Sequence, residues 1–96
     1  MNTEILTQLT DLMAERQRDL PGGSYTTSLF EGGLDRILKK VGEEAGEVII
    51  AAKNRDRIEV ANETADLIFH LLIMLQEQGL TLEDVLCVLR GRYSSD

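Results

Sequence analysis

The chain has 96 residues, of which 43% are hydrophobic, with a formal net charge of −7 and one cysteine. That length favours a single domain over residues 1–96, and the apolar content argues against disorder. The acidity weighs against nucleic-acid and anionic-membrane partners, and the lone Cys87 excludes an internal disulfide. No segment has the basic start and apolar run of a signal peptide, or the ~20 apolar residues that cross a bilayer. A cytoplasmic protein is therefore expected.

Residues 3–19 carry the first helical pattern, with Ile5, Leu6, Leu9, Leu12 and Met13 on one face. Pro21-Gly22-Gly23 ends it. The hydroxyl-rich run Ser24-Tyr25-Thr26-Thr27-Ser28 reads as a loop leading to a helix cap, with Ser28 and Glu31 as a capping box and Gly32-Gly33 weakening or interrupting that turn. From Leu34 to about Lys53 the helical period is strong. Leu34, Ile37, Leu38, Val41, Ala45, Val48, Ile49 and Ala52 make its apolar face. Gly42 and Gly46 each weaken this helix by up to ~1 kcal/mol, so close approach of another backbone is expected there.

Asn54-Arg55-Asp56 forms a turn, and Asp56 with Glu59 a second capping box, before a helix from about Arg57 to Gln78. That helix is apolar except for a stripe of Glu59, Glu63, Asp66, His70 and Glu77, so it must be covered on most sides. A chain this small can hardly supply the cover, which predicts a homodimer with this helix at its centre. Gly79 caps the helix, Thr81 with Asp84 opens a short last one, and Arg90–Asp96 reads as a frayed polar tail. Cys87, between Leu86 and Val88, reads as a small apolar residue. The fold class is all-α, a four-helix bundle completed by dimerisation.

Chemistry concentrates in Glu43, Glu44 and Glu47, answered by Glu63 and Asp66. A helix turns about 100° per residue, so each set shares a face of its helix. Packed antiparallel, the two helices would aim four or five carboxylates into one volume, where they repel unless a cation lies between them. Hard oxygen ligands suit Mg²⁺ or Mn²⁺. Lys40, one turn before Glu44, is placed to share phosphate charge with the metal, and Lys39 and Lys53 are weaker candidates. His70 lies one turn beyond Asp66 and is expected to be hydrogen-bonded within the bundle. A di-iron site would need two Glu-x-x-His pairs, and a chain with one histidine has none.

Glu43-Glu44-x-x-Glu47 followed by Glu63-x-x-Asp66 resembles the metal motif of the all-α nucleoside triphosphate pyrophosphohydrolases, the MazG-like group. Within it, Gly23–Gly33, the run through Ile37-Leu38-Lys39-Lys40-Val41-Gly42-Glu43-Glu44 to Ala51-Ala52-Lys53-Asn54, and Ala65–Leu72 are similar to the phosphoribosyl-ATP pyrophosphohydrolase family. The likeness spans nearly the whole chain and suits a stand-alone form, with no second domain or metal-binding cysteine set.

The resemblance implies hydrolysis of phosphoribosyl-ATP at its α–β bond, the second step of histidine biosynthesis. Glu44, Glu47, Glu63 and Asp66 would hold the metal, and Glu43 would be a further ligand or the base that orients water. Lys40, Lys39 and Lys53 would pair with phosphates. The Ser24–Ser28 loop would close over the substrate, with Ser24 and Thr26 hydroxyls or backbone amides on phosphate. A house-cleaning (d)NTP hydrolase of the same fold remains an alternative, as does a helical interaction module with an acidic face.

Overall fold

The computed structural model describes residues 2–95 and contains five helices and no strand among them. Helix α1 (Glu4–Asp19) ends on Leu20, whose φ of 45° lies in the left-handed region. Pro21 disfavours the right-handed helical conformation for the residue before it, which is why the helix stops there. The Leu20 N–H still reaches the Arg16 carbonyl, 2.9 Å away.

Helix α2 (Tyr25–Gly32) corrects the expected loop. Ser24 has extended dihedrals, and its Oγ accepts a 3.2 Å hydrogen bond from the Thr27 N–H, so the helix starts at once. Ser28 is inside the helix, its hydroxyl donating to the Tyr25 carbonyl at 2.6 Å, and is not a cap. The hydroxyl run is thus one cap and the first turn that it caps. Gly33, at φ 88°, breaks the chain between α2 and α3 (Leu34–Lys53), a conformation that glycine adopts without steric cost. The interruption foreseen at Gly32-Gly33 is real, and it makes the helices five where four were expected.

Helices α3 and α4 (Arg57–Glu77) form a tightly connected hairpin, the most extensive packing in the chain. Its turn is a Schellman motif. Arg55 N–H donates to the Ala52 carbonyl and Asp56 N–H to that of Ala51, with Arg55 at φ 56°. Asp56 then caps α4, accepting from the Glu59 N–H at 3.1 Å. Helix α5 (Leu82–Tyr93) begins with the Thr81 N–H donating to the Asp84 carboxylate at 2.8 Å. It runs through Arg90–Tyr93, which were expected to fray, and Asp96 lies outside the described residues.

The core sits at one end. Met13 of α1, Leu29 of α2, Ile37 of α3, and Leu72 and Ile73 of α4 are buried together, with Leu9, Phe30, Phe69 and Met74 packed around them. The far half of the hairpin projects from this core. Only Ile37 and Ala51 of α3 are buried, while Ile49 and Ile58 remain 68% and 75% exposed. The radius of gyration, 14.6 Å, exceeds the about 12.5 Å of a compact chain of this length. Among the described residues nothing lies within 4 Å of a Cβ built at Gly42 or Gly46, so they supply no close backbone there. Cys87 is exposed, not packed as a small apolar residue. No described helix is long and apolar enough to cross a membrane.

Because Ile73 joins the core fully buried, Ile73→Ala should cost about 2–5 kcal/mol, read as a lowered urea midpoint. A loss below 1 kcal/mol would mean that the site collapses around the smaller side chain.

Candidate active site

The hairpin brings together acids from both its helices. Carboxylate oxygens of Glu44 on α3 and of Glu63 and Asp66 on α4 all lie within 4.8 Å of one another. Glu44 and Glu63 are half-buried and Asp66 is exposed, so the cluster opens to solvent on one side. Glu47 stands outside this triad. It is exposed and, with Glu63, Asp56, Glu59 and Asn54, lines an adjoining cavity of about 120 Å³. Glu43 also lies outside the triad, pointing instead at Lys40 and Lys39.

One cation meets the triad directly. Lys40 Nζ is 3.3 Å from Glu44 and 3.4 Å from Glu43. Burial pulls the Lys40 ammonium down, but its hydrogen bonds to Glu44 and Glu43 and the Glu44 charge outweigh it, and its pKa is raised. Lys39 is exposed, 4.0 Å from Glu43. Lys53 is nine residues beyond Glu44, which puts it roughly 13 Å along the helix and half a turn round, on the opposite face. Ser24 is half-buried and spends its hydroxyl as the cap of α2. Thr26 is buried, so its hydroxyl is not presented to solvent. Thr27 is buried too, and its Oγ1 has no hydrogen-bond partner.

A pair that sequence reasoning left unjoined ties α2 to the carboxylate-bearing side of α4. His70, only 5% exposed, is bonded on both ring nitrogens, Nδ1 to the Asp66 carbonyl at 2.7 Å and Nε2 to the Tyr25 hydroxyl at 2.8 Å. The expectation of a histidine hydrogen-bonded inside the bundle holds. The signal for its partner was the single aromatic in the hydroxyl run, which no periodicity could link to His70, 45 residues away.

The donor set fits a hard divalent cation. Three carboxylates converge from two rigid helices, and a single ammonium does not neutralise them. Glu63 records the imbalance. Burial, then the negative charges of Asp66, Glu44, Glu47 and Glu59, push its carboxyl above the ordinary range.

A family model described as phosphoribosyl-ATP pyrophosphohydrolase matches residues 6–92. The chain belongs to the phosphoribosyl-ATP pyrophosphohydrolase family. It is 53% identical over 91 residues to the phosphoribosyl-ATP pyrophosphatase of Leptospira biflexa, covering 95% of this chain and 99% of that protein. It is 59% identical over 78 residues to the phosphoribosyl-ATP pyrophosphatase of Streptococcus thermophilus, covering 81% of this chain and 75% of that one. The histidine biosynthesis bifunctional protein HisIE of Bacillus subtilis is 60% identical over 90 residues, 94% of this chain. The chain spans only 43% of that bifunctional relative's length. All the carboxylates of the family-like motif, Glu43, Glu44, Glu47, Glu63 and Asp66, lie within the matched span.

The raised Glu63 makes the cluster a charge strain in the metal-free chain. A carboxyl with a raised folded-state pKa binds its proton more tightly folded than unfolded. Its ionisation therefore weighs against folding above that value, and the penalty is relieved as pH falls through it. Glu63→Gln should raise the melting temperature of metal-free protein at neutral pH. Its advantage over wild type should shrink as pH falls through the folded-state value towards the ordinary carboxylate range. Equal melting temperatures at neutral pH would show that Glu63 carries no such strain.

Proposed function

We propose that the chain hydrolyses phosphoribosyl-ATP between its α and β phosphates, giving phosphoribosyl-AMP and pyrophosphate, with Mg²⁺ as cofactor and Mn²⁺ as a chemically acceptable substitute. The reaction is the second step of histidine biosynthesis. The observation that carries the reading is the convergence of Glu44, Glu63 and Asp66 beside Lys40, on a chain whose relatives bear that enzyme's name.

Glu44, Glu63 and Asp66 would hold the metal, with Glu47 joining from the edge of the cluster. A divalent ion there would offset phosphate charge and acidify water. Lys40 is the ammonium best placed to take a phosphate oxygen, because Glu44 already holds it at the cluster. Lys39 would add charge at longer range, and Lys53 is too far round α3 to join the same phosphate group within one protomer. Glu43, paired with Lys40 at the rim, is positioned to accept a proton from water. For Ser24 and Thr26, the helical first turn leaves backbone amides as better donors to phosphate than hydroxyls already spent or buried.

The protomer is incomplete as an apolar object, and the same reading includes a homodimer. Ile58, Ala61, Ala65 and Ile68 form an exposed stripe along α4. It runs into a groove of about 260 Å³ between α4 and α5, lined by Ile68, Leu71, Leu72, Leu75, Leu82 and Val85. Exposed apolar surface of that continuity marks an interaction face, and a second copy supplies a matching one.

Pyrophosphate release should be rapid from phosphoribosyl-ATP, absent after chelation, and far slower from ATP or dNTPs. Glu63→Gln and Glu44→Gln should each lower turnover by two orders of magnitude or more, on the scale of removing a charged group from a transition-state site. Release chiefly from dNTPs would move the chain to a house-cleaning role, and no release from any of them would leave a binding module. Ile68→Asp should convert a dimer to a monomer in sedimentation velocity, since it places a charge in the apolar stripe. A wild-type chain that sediments as a monomer would defeat the dimer.

A further inference from the structure

Tyr25 is built the wrong way round for a surface tyrosine. Such residues usually bury the ring and leave the hydroxyl in water. Here the hydroxyl points inward, 2.8 Å from Nε2 of the buried His70, while the residue as a whole stays 48% exposed. His70 Nδ1 faces the Asp66 carbonyl and can only donate to it, so on the neutral ring Nε2 is the acceptor and the Tyr25 hydroxyl donates. Phe69 lies roughly parallel to the Tyr25 ring at 6.4 Å, and His70 meets that ring edge-on at 5.8 Å. The phenol is thereby pinned at its polar end and braced by two other rings, with much of its surface left to solvent.

Its position is also specific. His70 is one turn from Asp66 on α4 and bonded to its carbonyl, and the Tyr25 hydroxyl is bonded to His70. The pinned ring thus stands beside the metal and phosphate end of the site. Aromatic side chains are scarce in this chain, two Phe and two Tyr, and Tyr93 lies in the last turn of α5, far along the sequence from the cluster. A nucleotide whose phosphates reach Lys40 and the carboxylates must put its base somewhere near by, and a rigid half-exposed ring offers every base a stacking surface.

We propose that Tyr25 is the base platform of the substrate site, its ring stacking on the purine-derived base while the hydroxyl bond to His70 holds the ring in place. The inference rests on the nucleotide-hydrolase reading above, and goes beyond it by assigning the base subsite to one residue. Rigid presentation matters here because a ring fixed before binding loses little freedom when the base arrives.

The test uses two probes on the full-length protein: AMP, which has a base, and inorganic tripolyphosphate, which has none. AMP affinity is measured at equilibrium by calorimetry or tyrosine-fluorescence quenching, and tripolyphosphate as an inhibitor of pyrophosphate release with Mg²⁺. Tyr25→Leu should weaken AMP binding and raise KM for phosphoribosyl-ATP by about tenfold or more, while tripolyphosphate inhibition stays within twofold of wild type. Tyr25→Phe keeps the ring but loses the bond that fixes it, so it should weaken AMP binding clearly less than Tyr25→Leu, with tripolyphosphate inhibition again within twofold of wild type. Equal losses for both probes in Tyr25→Leu would overturn the proposal, because a purely structural role spares neither. A Tyr25→Phe variant as impaired as Tyr25→Leu would overturn it in favour of the hydroxyl. A change in sedimentation of Tyr25→Leu with AMP affinity intact would overturn it in favour of a ring covered by a second copy. AMP binding needs no turnover, so a wild type that binds AMP through Tyr25 but releases no pyrophosphate would count against the hydrolase reading and leave the platform standing.

Discussion

Mutual repulsion among Glu44, Glu63 and Asp66 is the constraint on which the rest of this structure turns. Their carboxylate oxygens lie within 4.8 Å of one another, and partial burial together with the neighbouring negative charges pushes the Glu63 carboxyl above the ordinary range. Lys40 offsets part of that, and no other cation of the described residues forms an ion pair with these three acids. The hairpin carrying the acids must therefore be held by interactions elsewhere. The Met13–Leu29–Ile37–Leu72–Ile73 core supplies them at one end, and the Schellman turn with the Asp56 cap supplies them at the other. Between these anchors the helices present a cluster of carboxylates whose charge a cation would balance. Local rules are commonly broken at functional positions in this way, with stability drawn from elsewhere in the fold.

Hydrophobic and polar periodicity carried most of the helix positions and the faces of the acidic residues. The placement of α3, of α4 and of their turn matched the pattern, because long amphipathic segments with side-chain caps leave few alternatives. Glu44, Glu63 and Asp66 were legible for the same reason, since carboxylates three residues apart share a face whatever packs around them. Three things were not legible. Helix α2 was hidden because Ser and Thr favour turns and caps equally, and only geometry shows that Ser24 caps the residues that follow it. The burial of α3 was overestimated because periodicity marks an apolar face without saying which chain covers it. Ile49, exposed here, reads in sequence like Ile37, which is buried. Glu47 falls on the same face as Glu44 within the limits of a 100° arc, yet that arc is wide enough to carry it from the triad to the neighbouring cavity.

The Tyr25–His70 bond belongs to a different order of information. It joins residues 45 positions apart on elements whose packing no local pattern specifies. Its consequence is nevertheless chemical and simple. On a neutral imidazole, the Asp66 carbonyl fixes Nδ1 as the donor, so that Nε2 accepts and the tyrosine hydroxyl points to it. A backbone oxygen in α4 thereby sets the orientation of an aromatic ring on α2. Bracing α2 against α4 would not by itself require Tyr25 to stay half exposed, whereas a stacking surface would.

The same helix must serve both the carboxylate cluster and the apolar stripe, and the helical repeat shows why these demands do not collide. Taking 100° per residue, Ile58, Ala61, Ala65 and Ile68 fall within roughly 80° of arc on α4, while Glu63 and Asp66 lie about 120–180° from its centre. A second copy seated on the stripe would cover isoleucine without covering an acid. It would also bring apolar mass against the part of the hairpin that the protomer's own core does not reach. Dimerisation and metal binding would then be two stabilisers acting on one element from opposite sides. A chain too small to enclose a long apolar helix can still hold a charged site rigid on it, provided the helix divides its circumference between a partner and a cation.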